Sequence, residues 1–410
     1  MLRKRISTWA AILPPILTLV LLVGMSAEHL ANSYSNQPQG SVVCVPKFVS
    51  HLVDAGFKDQ AGIALIDLDR DGLLDIVVAA HHHSVLSILY GMGQGQFEPP
   101  VLVCLLPDDC LSSEHHHNFA ATDLNGDGWP DLAIPSRRGF VILLNRGARE
   151  FEPPFRMRGK GVDAKAGDFN EDGLPDLAMA IETKAVRVFL NLGGGVFAAP
   201  VRFQAGLLPK TLALGDFNED GHLDIVTANK NSDDVTVLLG NGNGKFAPGT
   251  PFPTGRTNPR SVRTADFDGD GHLDLVVSHQ FQDDGSLENF VFLRGDGRGN
   301  FRALGAFPTG KVTRGLTVGD FNADGVLDVA VANLKPNSVS LLLGSRELQF
   351  TFLTTPAIEA HNPRELDVGD VDGDGRLDIV ASTNKGRTTV TLLLNQGCGL
   401  GSASSVMAGY

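Results

Sequence analysis

Several things are missing from this sequence, and each absence closes a door. No stretch of the repeated region keeps a 3.6-residue apolar rhythm, so amphipathic helices are not its building unit. There is no nucleophile elbow, phosphate loop, HExxH or dinucleotide fingerprint, which removes the enzyme classes that those motifs announce. Only 4 cysteines occur, and none are spaced as CxxC, so a thiolate zinc site or dithiol redox motif is excluded. Tyrosine is scarce at 3 residues. Cationic excess is absent too: the net charge is −13 and the pI about 5.3, which speaks against nucleic acid as a partner.

Only one apolar run is long enough to span a bilayer, from Trp9 to Met25, and it follows Arg3, Lys4 and Arg5. A basic start, an apolar middle and the small residues Ser26 and Ala27 read as a secretory signal peptide over 1–27, cleaved between 27 and 31. An uncleaved membrane anchor is the alternative. Residues 28–41 then read as a linker and 399–410 as a flexible tail. The expected location is secreted, periplasmic or cell-surface, a setting that permits disulfides.

What the chain has in abundance is glycine, 47 residues, and one acidic phrase. D-x-[DN]-x-D-G-x-x-D begins at Asp67, Asp123, Asp168, Asp216, Asp266, Asp320 and Asp370, at intervals of 56, 45, 48, 50, 54 and 50 residues. An apolar strand leads into each phrase ("TLALGDF"), another leads out ("LDIVTAN"), and a third follows ("DVTVLLGN"). A glycine-rich turn ending in phenylalanine comes next ("GNGNGKF"), then a looser fourth strand. Four strands per repeat and seven repeats predict an all-β, seven-bladed β-propeller of four-stranded antiparallel blades over 42–398. A solenoid would need capping repeats, and none are visible. The seventh unit stops after its third strand, so the segment "CVPKFVS" at 44–50 is expected to supply the fourth and close the ring. That would bring Cys44 beside Cys398 as a disulfide clasp, the alternative being two buried free thiols; Cys104 and Cys110 bracket the short loop "CLLPDDC".

Alternating oxygen donors in a tight loop suit calcium, which takes six to eight oxygens, better than magnesium with its stricter octahedron. The candidate ligands are Asp67, Asp69, Asp71 and Asp75 in the first unit, then Asp123, Asn125, Asp127 and Asp131, then Asp168, Asn170, Asp172 and Asp176. They continue with Asp216, Asn218, Asp220 and Asp224, with Asp266, Asp268, Asp270 and Asp274, with Asp320, Asn322, Asp324 and Asp328, and with Asp370, Asp372, Asp374 and Asp378. The backbone carbonyl of His222 completes the fourth set, and Gly221 makes its sharp turn. This is not an EF-hand, because the twelfth position is Val78 or Thr227 rather than glutamate and the flanks are strands. The phrases hold 26 of the 47 acidic residues. Without residues 1–27 the charge becomes −16, and up to seven Ca2+ ions would bring it to about −2. Asx turns would account for one or two aspartates per loop, not the whole set.

The phrases "GDFNEDGHLDIVTAN", "GDFNADGVLDVAVAN" and "ADFDGDGHLDLVVSH" resemble FG-GAP/VCBS repeats, which include the calcium-binding repeats of the integrin α-subunit propeller and occur in many exported bacterial proteins. The resemblance spans about residues 42–398. It implies seven blades with calcium between strands one and two on one face. Ligands would bind on the other face, through the loops joining strands two and three and those joining strand four to the next blade. "IDLDRDGLLD" and "TDLNGDGWPD" lack the Gly-Asp-Phe start but keep every ligand, and "GDVDGDGRLD" has valine for phenylalanine. The family spans adhesion modules, lectins and accessory domains of carbohydrate-active enzymes, so fold does not decide function.

Two patterns fall on that other face. His81, His82 and His83 occupy one loop and His115, His116 and His117 another, in adjacent blades, where they could hold a transition metal or be solvated polar loops. Six residues before each first aspartate stand Ala61, His117, Val162, Lys210, Arg260, Arg314 and Arg364, four of them permanently cationic. Either they form a crescent that attracts a uronic or sulfated glycan, or they bond carbonyls of neighbouring blades. The leading expectation is a secreted, monomeric, calcium-binding adhesion module for a glycan or extracellular protein, with no catalytic residue assigned. Membrane contact is expected only if the N-terminal segment is retained. The alternatives are a polysaccharide lyase-like enzyme using His117, Lys210 and Arg260, and a purely structural surface protein.

Overall fold

The computed structural model describes residues 44–398 except 107–109, 111–117, 137–138, 159, 283–284, 346–350, 353–357 and 384–385. The leader, linker and tail expected at 1–41 and 399–410 lie outside the described residues, as do His115, His116 and His117.

Seven antiparallel sheets follow one another along the chain, and no helix occurs among the described residues. Their innermost strands are Gln60–Ile66, Ala120–Thr122, Asp163–Gly167, Pro209–Gly215, Pro259–Ala265, Val312–Gly319 and Pro363–Gly369. Each acidic phrase is the hairpin from that strand to the next; in blade four Gly215 pairs Asp224 and Leu212 pairs Thr227. Strands Asp234–Leu238 and Thr250–Pro253 complete that blade in the predicted order. In blade six the outermost strand comes in two pieces, Thr351–Phe352 and Ile358–Glu359, both paired with Ser338–Leu343. The result is the expected seven-bladed propeller.

Alternation along the strands makes the ring cohere. Successive residues of a strand point to opposite faces, and here both faces are covered. In blade four, Ile225 packs with Ala178 and Val186 of blade three, while Val226 and Ala228 pack with Leu275 and Val277 of blade five. Seven apolar cores result, one at each blade-to-blade junction. Double burial explains why the second strands read as unbroken apolar runs rather than as half-polar ones. The phenylalanine after the glycine-rich turn belongs to the same packing. Phe301 meets Phe217, from the acidic phrase one blade back, edge to face at 5.4 Å, and Phe246 meets Phe169 likewise at 5.5 Å.

Closure follows the prediction. The strand Pro46–Asp54 pairs antiparallel with Thr389–Cys398, from Pro46 opposite Cys398 to Asp54 opposite Thr389. It runs four residues past the segment that the sequence pattern marked. Disulfides join Cys44 to Cys398, with Cα atoms 5.3 Å apart, and Cys104 to Cys110. The Cys44 sulfur lies 3.4 Å from the carbonyl of Asn322, so the clasp sits against the acidic loop of blade six.

Candidate metal centres

Hairpin topology puts all seven acidic loops at one end of the ring. Within a loop the carboxylates divide the work. In blade four, the Asp216 carboxylate accepts from the amides of Asp220 (3.2 Å) and Gly221 (2.8 Å), and Asp220 accepts from His222 (2.9 Å). The chain turns through left-handed backbone at Glu219 (φ 58°) and Gly221 (φ 86°). Asx bonding is therefore present, as the simpler reading expected. It accounts for only part of the oxygen supply.

The ninth-position aspartate is different in kind. Asp224 is fully buried, and its two oxygens accept from the amides of Phe217 (2.8 Å) and Gly240 (2.6 Å), fastening the phrase to the turn after the third strand. The same two bonds recur at Asp75, Asp131, Asp176, Asp274, Asp328 and Asp378. Burial pushes Asp75, Asp131, Asp224, Asp274 and Asp378 up to about 6 and Asp328 to about 7, with the neighbouring carboxylates adding to the rise. A divalent cation in the loop would reverse that pressure.

The first, third and fifth positions come in two versions. Where the third residue is asparagine, its amide nitrogen donates to the fifth-position carboxylate: Asn125 to Asp127, Asn170 to Asp172, Asn218 to Asp220 and Asn322 to Asp324, at 2.8–2.9 Å. Where it is aspartate, an arginine approaches instead. Arg149 reaches Asp69 at 2.7 Å, Arg294 reaches Asp268 at 2.9 Å and Asp270 at 2.7 Å, and Arg376 bonds Asp374. These aspartate loops bring three carboxylates within reach of one point: Asp67, Asp69 and Asp71; Asp266, Asp268 and Asp274; Asp370, Asp372 and Asp374. The side-chain oxygens Asn170 Oδ1, Asn218 Oδ1 and Asp69 Oδ1 are buried with no hydrogen-bond partner. Buried unpartnered acceptors among carboxylates are the donor set that a hard cation requires. The residues present fit calcium.

Neighbouring blades lock onto these loops. The second-position carbonyl of a loop accepts from the turn of the following blade: Leu68 from Asn145 (2.8 Å), Leu124 from Asn191 (2.8 Å), Phe169 from Gly244 (2.7 Å), Phe217 from Gly299 (2.7 Å) and Phe321 from Asn395 (2.9 Å). The asparagine before the glycine-rich turn, as in "LLLNQGCG", was the visible sign of this clamp, and sequence reasoning passed over it.

At the opposite end the expected groups are only partly brought together. His81 Nδ1 and His82 Nε2 lie 2.9 Å apart, so those two rings engage each other. Lys210 is held by Glu182 at 2.6 Å. Arg260 and Arg364 are buried, 6% and 4% exposed. A cleft of about 470 Å³ that no motif announced lies between blades four and five, lined by Ser232, Asp233, Pro253, Gly255, Arg256, Thr257 and Gln282. A polar network supports its floor. Gln282 Oε1 accepts from the Thr257 amide (3.2 Å), Asp233 accepts from the Asn258 amide (2.8 Å), and buried His279 meets Thr254 Oγ1 through Nε2 at 3.0 Å. Desolvation pushes the His279 imidazole down to about 3.

The FG-GAP-like repeat matches residues 67–134, 123–179, 168–227, 216–277 and 320–381. Human integrin alpha-7 is 28% identical over 171 residues, which are 37% of this chain and 14% of that protein, so the match spans a small part of the relative's length. Among solved structures, BBS1N in complex with ARL6DN superposes with a TM-score of 0.59 at 12% identity, covering 86% of this chain and 98% of that one. An Agrocybe aegerita lectin, described as recognising non-reducing terminal N-acetylglucosamine, superposes with a TM-score of 0.52 at 18% identity, covering 82% and 94%. At these identities the shared feature is the fold.

Proposed function

Because the chain belongs to the family of FG-GAP-like repeat proteins, we propose that it is a calcium-stabilised extracellular binding module, monomeric, that takes a glycan or protein ligand on the face opposite its acidic loops. One observation carries the calcium part: all seven loops offer carboxylate or amide oxygens at the first, third, fifth and ninth positions, with buried acceptors at Asp69, Asn170 and Asn218 left unpartnered. Calcium, when bound, would neutralise the first, third, fifth and ninth positions and hold the hairpin between strands one and two. The two disulfides fit an exported protein.

For the ligand, the cleft between blades four and five supplies what recognition of a polar ligand needs. It is concave, with Asp233, Arg256, Thr257 and Gln282 converging on it above a braced polar floor. The lectin of similar fold shows that such a ring can carry sugar recognition. Binding is preferred to the lyase reading because Lys210, one of that reading's three residues, is held by Glu182. The test is a glycan array and a panel of extracellular matrix proteins, probed with the purified chain in saturating calcium. A ligand lost both in EGTA and in an Arg256→Ala/Gln282→Ala variant is the expected result. Binding that survives the cleft variant overturns the assignment of the site.

A further inference from the structure

The central channel carries charge in two layers, and they balance differently. In the deeper layer Asp163 and Lys165 of blade three, Arg263 of blade five and Asp367 of blade seven act on one another, two cations against two anions. Asp163 also accepts from the Leu212 amide at 2.7 Å, and Asp367 from the Leu65 amide at 2.8 Å. The layer above holds Arg260, Arg314 and Arg364 from three consecutive blades, with Glu365. Arg260 Nη2 lies 3.7 Å from Glu365 Oε1. Those residues belong to blades five and seven, so the pair spans the channel, with blade six between them on the rim. Arg260 and Glu365 are 6% and 4% exposed.

The backbone lifts these arginines out of the ladder, as it does Lys210. Register shifts fall between Pro259 and Ser261, between Thr313 and Leu316, and between Pro363 and Leu366, which places Arg260, Arg314 and Arg364 in β-bulges. A bulge leaves one residue out of the ladder and re-aims its side chain. Blade six leaves room for the group opposite: a Cβ on Gly315 would stand 2.5 Å from Glu365 Oε2. Arg260 Nε and Arg314 Nε have no hydrogen-bond partner, although both are buried. Burial first, and then the charge on Arg260, lower Arg364 to about 9 and Arg314 to about 10. Lys210 and Lys230 feel Arg260 as well, while Glu182 offsets Lys210 and Asp59 acts on Arg364. Around this layer Arg260, Arg314, Arg364, Lys210 and Lys230 stand against Glu365, Glu182 and Asp59, an excess of positive charge, and an excess of one sign away from water favours a counter-ion.

We propose that the mouth of the channel binds one oxyanion, a carboxylate or sulfate group, between the bulged arginines Arg260, Arg314 and Arg364. Planar guanidinium forks match both groups. The site is separate from the blade four–five cleft and does not depend on the ligand assigned there.

Titration calorimetry and thermal melting in saturating calcium test it, with sodium sulfate and sodium glucuronate each compared against sodium chloride at matched ionic strength. One saturable site per chain is expected for at least one of the two anions, and the anion that binds tells free inorganic anion from sugar carboxylate. Arg260→Gln/Arg314→Gln should abolish the binding. Glu365→Gln, which removes the opposing carboxylate, should tighten it by about tenfold. That gain separates recognition from a merely structural role. Absence of saturable binding in the wild-type chain, or equal affinity in the wild-type, Arg260→Gln/Arg314→Gln and Glu365→Gln proteins, overturns the proposal.

Discussion

The two ends of this ring are built on opposite plans. At the acidic end every blade repeats the same phrase, the same pair of bonds to a buried aspartate and the same packing on the next blade. At the other end the blades diverge: the bulged position carries a cation in blades four to seven, a cleft opens between four and five, and a histidine pair marks blade one. A task common to all blades is solved once and copied, whereas recognition needs groups that differ. On the proposed function, stability lies in the repeated end and selectivity in the varied end.

The largest effect should come from chelation. If calcium fills the loops, each site contributes about 2.7 kcal/mol when calcium is a hundredfold above its Kd. Several sites acting together exceed the whole stability of an ordinary domain. Calorimetry in excess EGTA is expected to show a melting temperature lowered by more than about 10 °C, since 1 kcal/mol shifts such transitions by a few degrees. An unchanged melting curve would dissolve the contrast between the two ends. Opening the clasp ranks next. Cys44→Ser/Cys398→Ser frees a loop of sequence separation 354, for an expected loss of about 2–5 kcal/mol in urea unfolding. Because the clasp rests on the carbonyl of Asn322, this variant should also weaken calcium binding at blade six ahead of the other blades.

The acidic end could be read from the sequence almost residue by residue, because a period of about 50 residues aligns every position with six copies of itself. Strand order, the glycine-rich turn and the closing strand came from the same alignment. Its limit is seen at Asp224, whose place among the candidate ligands was visible while its second task was not. Its place in the fold, holding two amides 7 and 16 residues away, depends on where the third strand ends. The varied end was legible only as a list of cations. That Arg260 meets Glu365, or that Gln282 braces a cleft with Thr257, depends on ring curvature and bulges, which no local pattern encodes. Lys210 belonged to the same column as the arginines, yet Glu182, which occupies it, lies in a different blade.

Asp224 sharpens the comparison inside the acidic end. Asp224→Ala strands the amides of Phe217 and Gly240, at about 1–3 kcal/mol for each buried group left unsatisfied. That loss should appear with and without calcium. Asp220→Ala removes a carboxylate whose fold contacts are the His222 amide and the Asn218 side chain. It should destabilise the protein clearly in calcium and little in EGTA. Urea midpoints for both variants under both conditions form the check. Equal calcium dependence would merge the two roles that the geometry separates.

The varied end has its own signature in pH. His279 lies beneath the blade four–five cleft, fully buried, facing Thr254 through Nε2, with Arg256 the charge acting on it. Its folded pKa of about 3 lies below the ordinary 6.5. A depressed value means that the unfolded chain takes up the proton first. The stabilisation is complete above pH 6.5 and declines as pH falls toward 3. At pH 5.5, one unit below the ordinary value, the loss should be about 1.4 kcal/mol. His279→Gln keeps a group that can bond Thr254 and removes the titration. The difference in urea midpoint between the variant and the wild type should therefore move in favour of the variant from pH 7.5 to pH 5.5. The acidic loops are identical in both proteins and cancel in that difference. A pH-independent difference would mean that His279 is already protonated in the fold or exposed to water, and the braced floor of the cleft would have to be redrawn.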